Sequence, residues 1–256
     1  MGHGTMLTAQ DQVGFTTLRY LSETTQLNRW MFETILPHVR GNILEIGSGI
    51  GNISCQFVKA DLPISLSELD AEYCHQLRDQ FEGEPLIRGI HQLDLVHPLF
   101  QTEYKALLGT FQTVFALNVV EHISDHRQAI ANARSLLSPN GRIIILVPAY
   151  QFLYNEIDRG LGHHRRYTRN SVKQLLSGGF DILHTQYFNL AGIAGWLFSG
   201  TVLHNKTLTA GPLSLYNKLV PFFRLVDSLA FHQIGLSVIA VARKKSTKTS
   251  ETLSCI

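Results

Sequence analysis

Up to Pro148, apolar segments of strand length alternate along the chain with amphipathic segments of helix length. Short runs of branched apolar residues predict strands, whereas apolar residues spaced three and four apart predict helices. The strands predicted in this way are 42–46, 63–69, 87–93, 110–117 and 142–147, and the helices are 16–39, 50–60, 71–81 and 124–137. Regular alternation of this kind is typical of a parallel sheet with right-handed crossover helices.

Beyond Pro148 the pattern becomes less regular. It predicts a helix at 171–177 and strands at 180–187 and 236–242, the last with apolar residues on both faces. The aromatic, glycine-containing residues 188–234 interrupt the alternation and predict a helical insertion that covers the functional site. We therefore expect an α/β fold with a doubly wound, mostly parallel seven-stranded sheet of Rossmann-like type and an antiparallel last strand.

The pattern predicts a single domain at 16–243 that includes this insertion, with flexible ends at 1–15 and 244–256. Hydrophobic residues make up 45% of the 256 residues and charged residues 16%, a composition that allows a large core and argues against disorder. The formal net charge of +2 provides no basic surface for DNA or RNA. We therefore expect no nucleic-acid partner.

Cysteine usage and the first residues indicate a compartment. Cys55, Cys74 and Cys255 show no metal-ligand spacing and cannot all pair internally, which is typical of a reducing cytosol. The polar residues 1–12 lack the apolar core of a secretory signal. These features predict a cytoplasmic protein.

The segment 182–205 contains no Asp, Glu, Lys or Arg, which raises the question of a membrane span. A spanning helix needs about 20 mainly apolar residues. Polar residues and the glycines Gly192, Gly195 and Gly200 interrupt this segment, so we do not expect a span. Peripheral contact of the aromatic insertion with a membrane surface is the alternative.

Three glycines, Gly47, Gly49 and Gly51, follow the first predicted strand and precede a helix. Glycines in such a turn let a ligand approach the backbone closely. The dinucleotide pattern G-x-G-x-x-G would place its third glycine at position 52, which is Asn52. Glu45 before the loop would repel a pyrophosphate but could accept a hydrogen bond from a cationic amino group. The spacing therefore argues against an NAD site.

An acidic residue at the end of the second predicted strand would complete a nucleoside site, because it can accept hydrogen bonds from both ribose hydroxyls. Glu68 and Asp70 are the two candidates. Asp70 directly precedes the helix 71–81 and is better placed as its N-cap. We therefore select Glu68 as the ribose ligand.

Four segments resemble, in order, the motifs of class I S-adenosylmethionine (SAM)-dependent methyltransferases. They are NILEIGSGIGNIS at Asn42–Ser54, QLDL with Asp94, FALNVVEHI at Phe115–Ile123 and LLSPNGRIIILVPA at Leu136–Ala149. The segment GHHRRYT at Gly162–Thr168 is similar to a bacterial subgroup of this family. The resemblance implies that SAM is the cofactor.

The same resemblance implies roles for individual residues. In the family, the first motif holds the methionine part of SAM, the acid after the second strand holds the ribose, and the Asp after the third strand contacts adenine together with its neighbour. The corresponding cofactor residues are Glu45, Gly47, Ser48, Gly49, Gly51, Asn52, Glu68, Leu69, Asp94, Leu95 and, at the edge of the pocket, Asn118.

Methyl transfer from a sulfonium carbon requires a positioned acceptor, exclusion of water and, where needed, removal of a proton. It needs no metal, and we expect none. His122 is a candidate general base, with a hydrogen-bonded histidine at a helix start as the alternative. His163 and Arg166 lie in the densest polar cluster of the chain and are candidates for contact with the acceptor.

This polar cluster, at 154–158 and 162–168, allows two interpretations. Arg165 and Arg166 could form a forked site for a phosphate or carboxylate. Alternatively, one of them pairs with Glu156 or Asp158 in a salt-bridged loop. The sequence alone supports both interpretations equally.

The predicted function is methyl transfer to oxygen or nitrogen of a small molecule, hydrophobic or anionic, such as a lipid, a polyketide or another secondary metabolite. The alternative is a SAM-binding regulatory or partner subunit without methyl transfer. A nucleic-acid methyltransferase would have an N/D-P-P-Y/F motif where this chain has Asn118-Val119-Val120-Glu121. The sequence does not indicate an oligomeric state.

Overall fold

Seven strands form one sheet in a computed structural model that describes residues 9–205 and 210–246. Their order across the sheet is β3-β2-β1-β4-β5-β7-β6. The strands are β1 (Ile43–Ile46), β2 (Ile64–Glu68), β3 (Ile87–Gln92), β4 (Phe111–Leu117), β5 (Leu137–Pro148), β6 (Phe180–Phe188) and β7 (Ser237–Lys244).

The first five strands pair in parallel, and β7 is antiparallel to both of its neighbours, β5 and β6. This arrangement confirms the predicted fold class. β7 lies inside the sheet, where it joins β6 to the parallel strands.

Helices cover both faces of the sheet, as a parallel sheet requires. Within the described residues the α-helices are α1 (Ala9–Ser22), α2 (Thr25–Ile35), α3 (Ser54–Lys59), α4 (Ala71–Gln80), α5 (Phe100–Glu103), α6 (His126–Leu136), α7 (Glu156–Leu161), α8 (Arg169–Ser177), α9 (Gly192–Leu197) and α10 (Ala210–Leu229). Short 3₁₀ turns occur at Leu36–His38, Lys105–Leu107, Val120–His122 and Gln151–Leu153.

The core lies on both sides of the sheet. Residues Ile143–Val147 of β5 and Val238–Ala242 of β7 are all buried. α6 and α8 pack on one face, whereas α2, α3, α4 and α10 pack on the other. Because each fully buried large apolar side chain contributes about 1.5–3 kcal/mol, these two layers hold the site in place.

The structure differs from the prediction before β1, where two helices replace the single helix predicted at 16–39. The break lies at Glu23 and Thr24. The Thr24 hydroxyl and the Asn28 side-chain amide both donate to the carbonyl oxygen of Leu21, at 2.6 and 2.8 Å. Side chains that bond to the backbone in this way compete with helical hydrogen bonds, which explains the break.

Two further elements depart from the prediction. α1 begins at Ala9, inside the segment 1–15 that we predicted to be flexible, and residues 1–8 and 247–256 of the two predicted flexible ends lie outside the described residues. The helix α7 was not predicted. It begins within the polar cluster, where Asn155 and Asp158 form a capping box.

The inserted residues 188–234 form α9, one π-helical turn (Phe198–Val202) and α10. Asp227, buried in α10, accepts hydrogen bonds from the backbone amides of Asn189 (2.6 Å) and Leu190 (2.7 Å). α10 also packs against α1 and α2. The insertion is therefore anchored to the end of β6 and lies over the helices that precede β1.

One face of α10 is apolar and exposed, with large side chains three or four residues apart at Leu215, Leu219, Phe222, Leu225 and Leu229. No helix in the described part of the chain is long and apolar enough to cross a membrane. Peripheral contact of this face with a membrane stays a prediction.

Candidate functional site

β1 and β4 are neighbours in the sheet although β2 and β3 lie between them in the sequence. The strand order reverses at this point, so the connections on either side leave a crevice at the carboxyl ends of the strands. Ligands of open α/β sheets bind in such a crevice. The glycine loop after β1 and the 3₁₀ turn after β4 meet there.

All three glycines of the loop have positive φ angles, +70° at Gly47, +54° at Gly49 and +78° at Gly51. A side chain would strain the backbone in this conformation. At Gly47, a Cβ atom would also lie only 2.4 Å from Cγ2 of Val119, in the segment after β4. Glycine is therefore needed at this position so that the two loops can lie against each other.

α1 covers the glycine loop. A Cβ atom at Gly49 would lie 3.3 Å from Cδ1 of Leu18, and the side-chain amide of Asn52 donates to the carbonyl oxygen of Leu18 at 3.2 Å. The same helix packs against α7, so it bridges the glycine loop and the polar cluster. Sequence reasoning missed Leu18 and Val119, because an apolar residue carries no sign of the loop that it contacts.

Glu45, in β1, is a buried carboxylic acid, 4% exposed. Its Oε2 accepts a hydrogen bond from the hydroxyl of Ser54 at the start of α3. Burial raises the pKa of Glu45 to about 8, because the charged form loses its hydration. Glu45 is therefore mostly neutral at pH 7, and a cation placed beside it would favour the ionised form.

Glu68, at the end of β2, connects two parts of the site. Its Oε2 accepts a hydrogen bond from the amide of Gly49 (2.8 Å), and its Oε1 accepts one from the amide of Leu69 (2.7 Å). Oε1 also accepts from the amide of Asp70 at 3.4 Å, so Oε2 is the oxygen that keeps a further lone pair for a ligand hydroxyl. Asp70 instead caps α4 by accepting from the amide of Glu72 at 2.7 Å. The structure thus places Glu68 beside the glycine loop and commits Asp70 to a helix end.

The two residues expected to contact adenine follow β3. Oδ1 of Asp94 accepts a hydrogen bond from the amide of Val96 at 2.8 Å, which fixes the turn. The side chain of Leu95 is buried in the core, so its backbone is the part that can reach a ligand.

Three further predicted cofactor residues surround the same crevice. The Leu69 side chain is 60% exposed and offers an apolar surface next to the end of β2. Ser48 is buried, and its amide donates to the carbonyl oxygen of Ser67 at 3.0 Å. Asn118 is exposed, has a φ of +56° and lies directly after β4. The structure therefore brings both loops and the end of β2 to one crevice.

Asp158 is the centre of a buried polar cluster beyond β5. It accepts hydrogen bonds from Nδ1 of His163 (2.7 Å), Nε of Arg166 (2.9 Å) and the amide of Asn155 (3.0 Å). Although burial opposes ionisation, the hydrogen bonds from His163 and Arg166 lower the pKa of Asp158. The ionised Asp158 therefore fixes the orientation of both side chains.

The structure does not form the anion site that we considered for Arg165 and Arg166. Arg166 is buried, pairs with Asp158, donates to the carbonyl oxygen of Ala149 (3.1 Å) and lies over the Trp196 ring at 4.6 Å. Arg165 donates instead to two carbonyl oxygens of the segment after β4. These contacts favour the alternative, a salt-bridged loop, because Nε and Nη1 of Arg166 donate inside the protein. Contact of Arg166 with the acceptor stays a prediction.

Glu121, His122 and His163 come together at the carboxyl end of β4. The two imidazole rings are 4.6 Å apart and nearly perpendicular, and Nε2 of His163 lies 4.0 Å from Oε1 of Glu121. Burial raises the pKa of Glu121 to about 8. The sequence indicated both histidines as candidates but gave Glu121 no role, because the loop that carries His163 is distant in sequence.

A switch-point crevice with a glycine loop, a buried acid before the loop and a second acid at the end of the next strand defines a nucleoside-binding site of the Rossmann-like class. Residues 44–143 match the family model described as Methyltransferase domain. Residues 44–143 therefore carry a methyltransferase domain of the class I, SAM-dependent type, and SAM is the cofactor of this domain.

Solved structures share the fold. A phosphoethanolamine N-methyltransferase 2 from Haemonchus contortus, in complex with phosphomonomethylethanolamine and S-adenosylhomocysteine, has a TM-score of 0.61, with 94% of this chain and 61% of that chain covered at 14% identity. The CurJ carbon methyltransferase has a TM-score of 0.55, with 87% and 54% covered at 15% identity. Identities this low show a common fold and leave the acceptor open.

Among curated proteins, the highly reducing polyketide synthase stpks1 from Strobilurus tenacellus is 24% identical over 111 residues. The match covers 41% of this chain and 4% of the synthase, so the chain spans a small part of its relative's length.

Proposed function

We propose that this chain transfers a methyl group from SAM to an oxygen or nitrogen atom of a small-molecule acceptor, hydrophobic or anionic. A lone pair of the acceptor attacks the methyl carbon while the bond from that carbon to the sulfonium sulfur breaks, and the sulfur leaves with the bonding electrons. The proton of the acceptor passes to solvent. The protein holds both partners in line and excludes water.

The residues around the crevice fit SAM on chemical grounds. The positive-φ glycines turn the loop tightly beside Glu68, and Oε2 of Glu68 retains a lone pair for a ribose hydroxyl. Glu45 is a buried acid that a cationic amino group would stabilise in its charged form. In this proposal Asp94 and the backbone of Leu95 contact adenine.

The observation that carries the proposal is the contact between Gly47 and Val119, because it joins the cofactor loop to the segment after β4. Glu121 and His122 lie two and three residues after Val119 in the chain, and His163 lies beside them. In this proposal the two histidines form the acceptor side of the crevice, where they bind the acceptor or pass its proton on to solvent.

The aromatic side chains of the inserted residues 188–234 support a hydrophobic acceptor. Nε1 of Trp196 in α9 donates to the carbonyl oxygen of Leu153 at 3.2 Å, which places this aromatic helix next to the polar cluster. The two solved relatives are named for transfer to nitrogen and to carbon, so the fold itself does not select the acceptor atom.

Calorimetry with SAM, combined with detection of S-adenosylhomocysteine, tests the proposal. We expect a micromolar Kd for SAM, about −8 kcal/mol, no binding of NAD, and product formation with at least one hydroxyl or amine acceptor. Binding of NAD without binding of SAM would contradict the proposal. Binding of SAM without product from hydroxyl, amine, fatty-chain and polyketide-like acceptors would favour a regulatory subunit.

Glu68→Ala is expected to raise the Kd of SAM roughly 10- to 100-fold. A charged acceptor that bonds to ribose hydroxyls contributes about 1.5–3 kcal/mol, and the variant also frees the amide of Gly49. Calorimetry at constant ionic strength measures the change.

Asp70→Ala provides the matched control for this variant. Loss of the N-cap of α4 should cost about 1 kcal/mol of stability while the Kd of SAM stays within roughly twofold. If Asp70→Ala weakens SAM binding more than Glu68→Ala does, the assignment of the ribose ligand is wrong.

SAM affinity is expected to rise with pH through the titration of Glu45. The free protein holds a proton on Glu45 below its pKa of about 8, and this proton must leave when a cationic amino group binds. The Kd should therefore fall roughly 10- to 30-fold between pH 6.5 and 8.5. In Glu45→Gln this dependence should disappear, and a dependence equal to that of the wild type would remove Glu45 from the cofactor site.

A further inference from the structure

Glu121, His122 and His163 offer one ligand atom each, and these atoms all lie within 4.8 Å of one another. Two imidazoles and one carboxylate form a donor set that suits zinc and other divalent transition metals better than magnesium or calcium. Glu121 and His163 are buried, whereas His122 is exposed, so the group is held by the protein on one side and open on the other.

The carboxylate of Glu121 points to a ligand that is not a protein group. Its side chain is completely buried, and within the described part of the chain neither carboxylate oxygen has a hydrogen-bond partner. A buried acid without partners is costly unless a proton or a cation neutralises it. The nearby guanidinium of Arg166 is already paired with Asp158.

His163 is oriented for metal binding by the residue behind it. When Nδ1–H donates to Oδ1 of Asp158 at 2.7 Å, Nε2 carries the lone pair and faces Glu121. A carboxylate that fixes the tautomer and raises the basicity of a histidine is the usual support of a metal-bound imidazole. Asp158 is therefore a positioning residue for His163.

We propose that Glu121, His122 and His163 bind a divalent transition-metal cation, with Zn²⁺ as the probe of choice. Ligand atoms around a tetrahedral zinc ion lie about 3.3 Å apart, so the three side chains need to close by at most about 1.5 Å. Three protein ligands leave at least one coordination position of a tetrahedral ion free for an acceptor atom or water. Sequence analysis predicted no metal because the ligands come from two separate loops.

A metal ion at this site would favour one class of acceptor over another. This inference rests on the proposed methyl transfer. A hydroxyl oxygen bound at the free position would lose its proton to water more readily, because a metal ion stabilises the oxyanion. The oxyanion would then attack the methyl carbon. A hydroxyl acceptor is therefore favoured over an amine.

The experiment uses the full chain, freed of metal with a chelator and then titrated with Zn²⁺, Mn²⁺ and Mg²⁺. We expect one Zn²⁺ site by calorimetry, weaker binding of Mn²⁺, no binding of Mg²⁺, and a rise of several degrees in the Tm with Zn²⁺. Glu121→Gln and His163→Asn should each weaken Zn²⁺ at this site at least tenfold and abolish the rise in Tm.

We expect Glu121→Gln to fold, so a loss of Zn²⁺ binding in this variant can be attributed to the lost ligand. The variant replaces an unpartnered buried carboxyl group by an amide of the same shape, so its Tm without metal should equal or exceed that of the wild type. His164→Asn is the matched control: its side chain is exposed, one residue after His163, and the variant should bind Zn²⁺ as the wild type does.

The proposal falls if the wild type binds no Zn²⁺, or if Glu121→Gln binds Zn²⁺ as tightly as the wild type. Both results concern Zn²⁺ binding, so they can be told apart from a failure of the proposed methyl transfer. Methyl transfer by a protein that binds no Zn²⁺ would remove the metal site and leave the function standing. Zn²⁺ binding that depends on Glu121, without any SAM binding, would leave the metal site standing and remove the function.

Discussion

Arg166→Ala is expected to lower the free energy of unfolding by about 3–5 kcal/mol. The substitution leaves Asp158 buried without its guanidinium partner and removes the contact of that guanidinium with Trp196. An unpaired charge in the interior cannot regain its hydration, so the loss greatly exceeds that of an exposed ion pair. Denaturant unfolding followed by circular dichroism measures the change as a lower midpoint at an unchanged m-value.

The adjacent arginine provides the control. Arg165 is partly exposed and donates to backbone carbonyl oxygens, so Arg165→Ala should cost only about 1 kcal/mol. Arg166→Met keeps the apolar stem and should still destabilise, because Asp158 still lacks its guanidinium partner. An Arg166→Ala protein of wild-type stability but with a raised KM for the acceptor would restore the anion-binding hypothesis.

Gly47→Ala is expected to destabilise the protein by about 2–4 kcal/mol and to weaken SAM binding at least tenfold. The φ of +70° strains a residue that has a Cβ atom, and this atom would lie 2.4 Å from Val119. The loop must shift to relieve this overlap, and its backbone then no longer fits the cofactor. Denaturant unfolding and calorimetry with SAM measure the two effects separately.

Two variants separate the overlap of the added Cβ atom with Val119 from the backbone strain of a positive φ angle. Gly47→Ala combined with Val119→Ala removes the overlap, so it should be less destabilised than the sum of the single variants. Gly49→Ala meets the flexible end of Leu18 at 3.3 Å and should lose mainly the strain contribution. If Gly47→Ala alone is as stable as the wild type, the contact between the two loops is not tight.

The sheet could be predicted because its signal is local. Branched apolar runs alternate with helical spacing, and the handedness rule for crossovers then leaves few topologies. The break between α1 and α2 could not be predicted, because it depends on the side chains of Thr24 and Asn28 turning toward the Leu21 carbonyl. Hydrophobic periodicity does not distinguish such a local hydrogen bond from a continuing helix.

The candidate site also contains residues that the local sequence could predict and contacts that it could not. The glycine spacing and the position of Glu68 are fixed by one strand and one turn, so the sequence indicated them. The sequence offered Asp158 as one of two possible acidic partners. The choice between the partners depends on the unpredicted helix α7, which holds Asp158 buried beside Arg166. Contacts between distant loops, such as Glu121 with His163, likewise require the folded chain.

Because β7 lies between β5 and β6, the ribosome releases the two flanking strands before the strand that joins them. Until residues 237–244 emerge, the nascent chain presents β5 with an open apolar edge, and β6 lacks its partner among the described strands. Open edges of this kind favour association between incomplete chains. A nonsense codon before Ser237 would therefore remove the middle of the sheet rather than its rim, and the released fragment should aggregate.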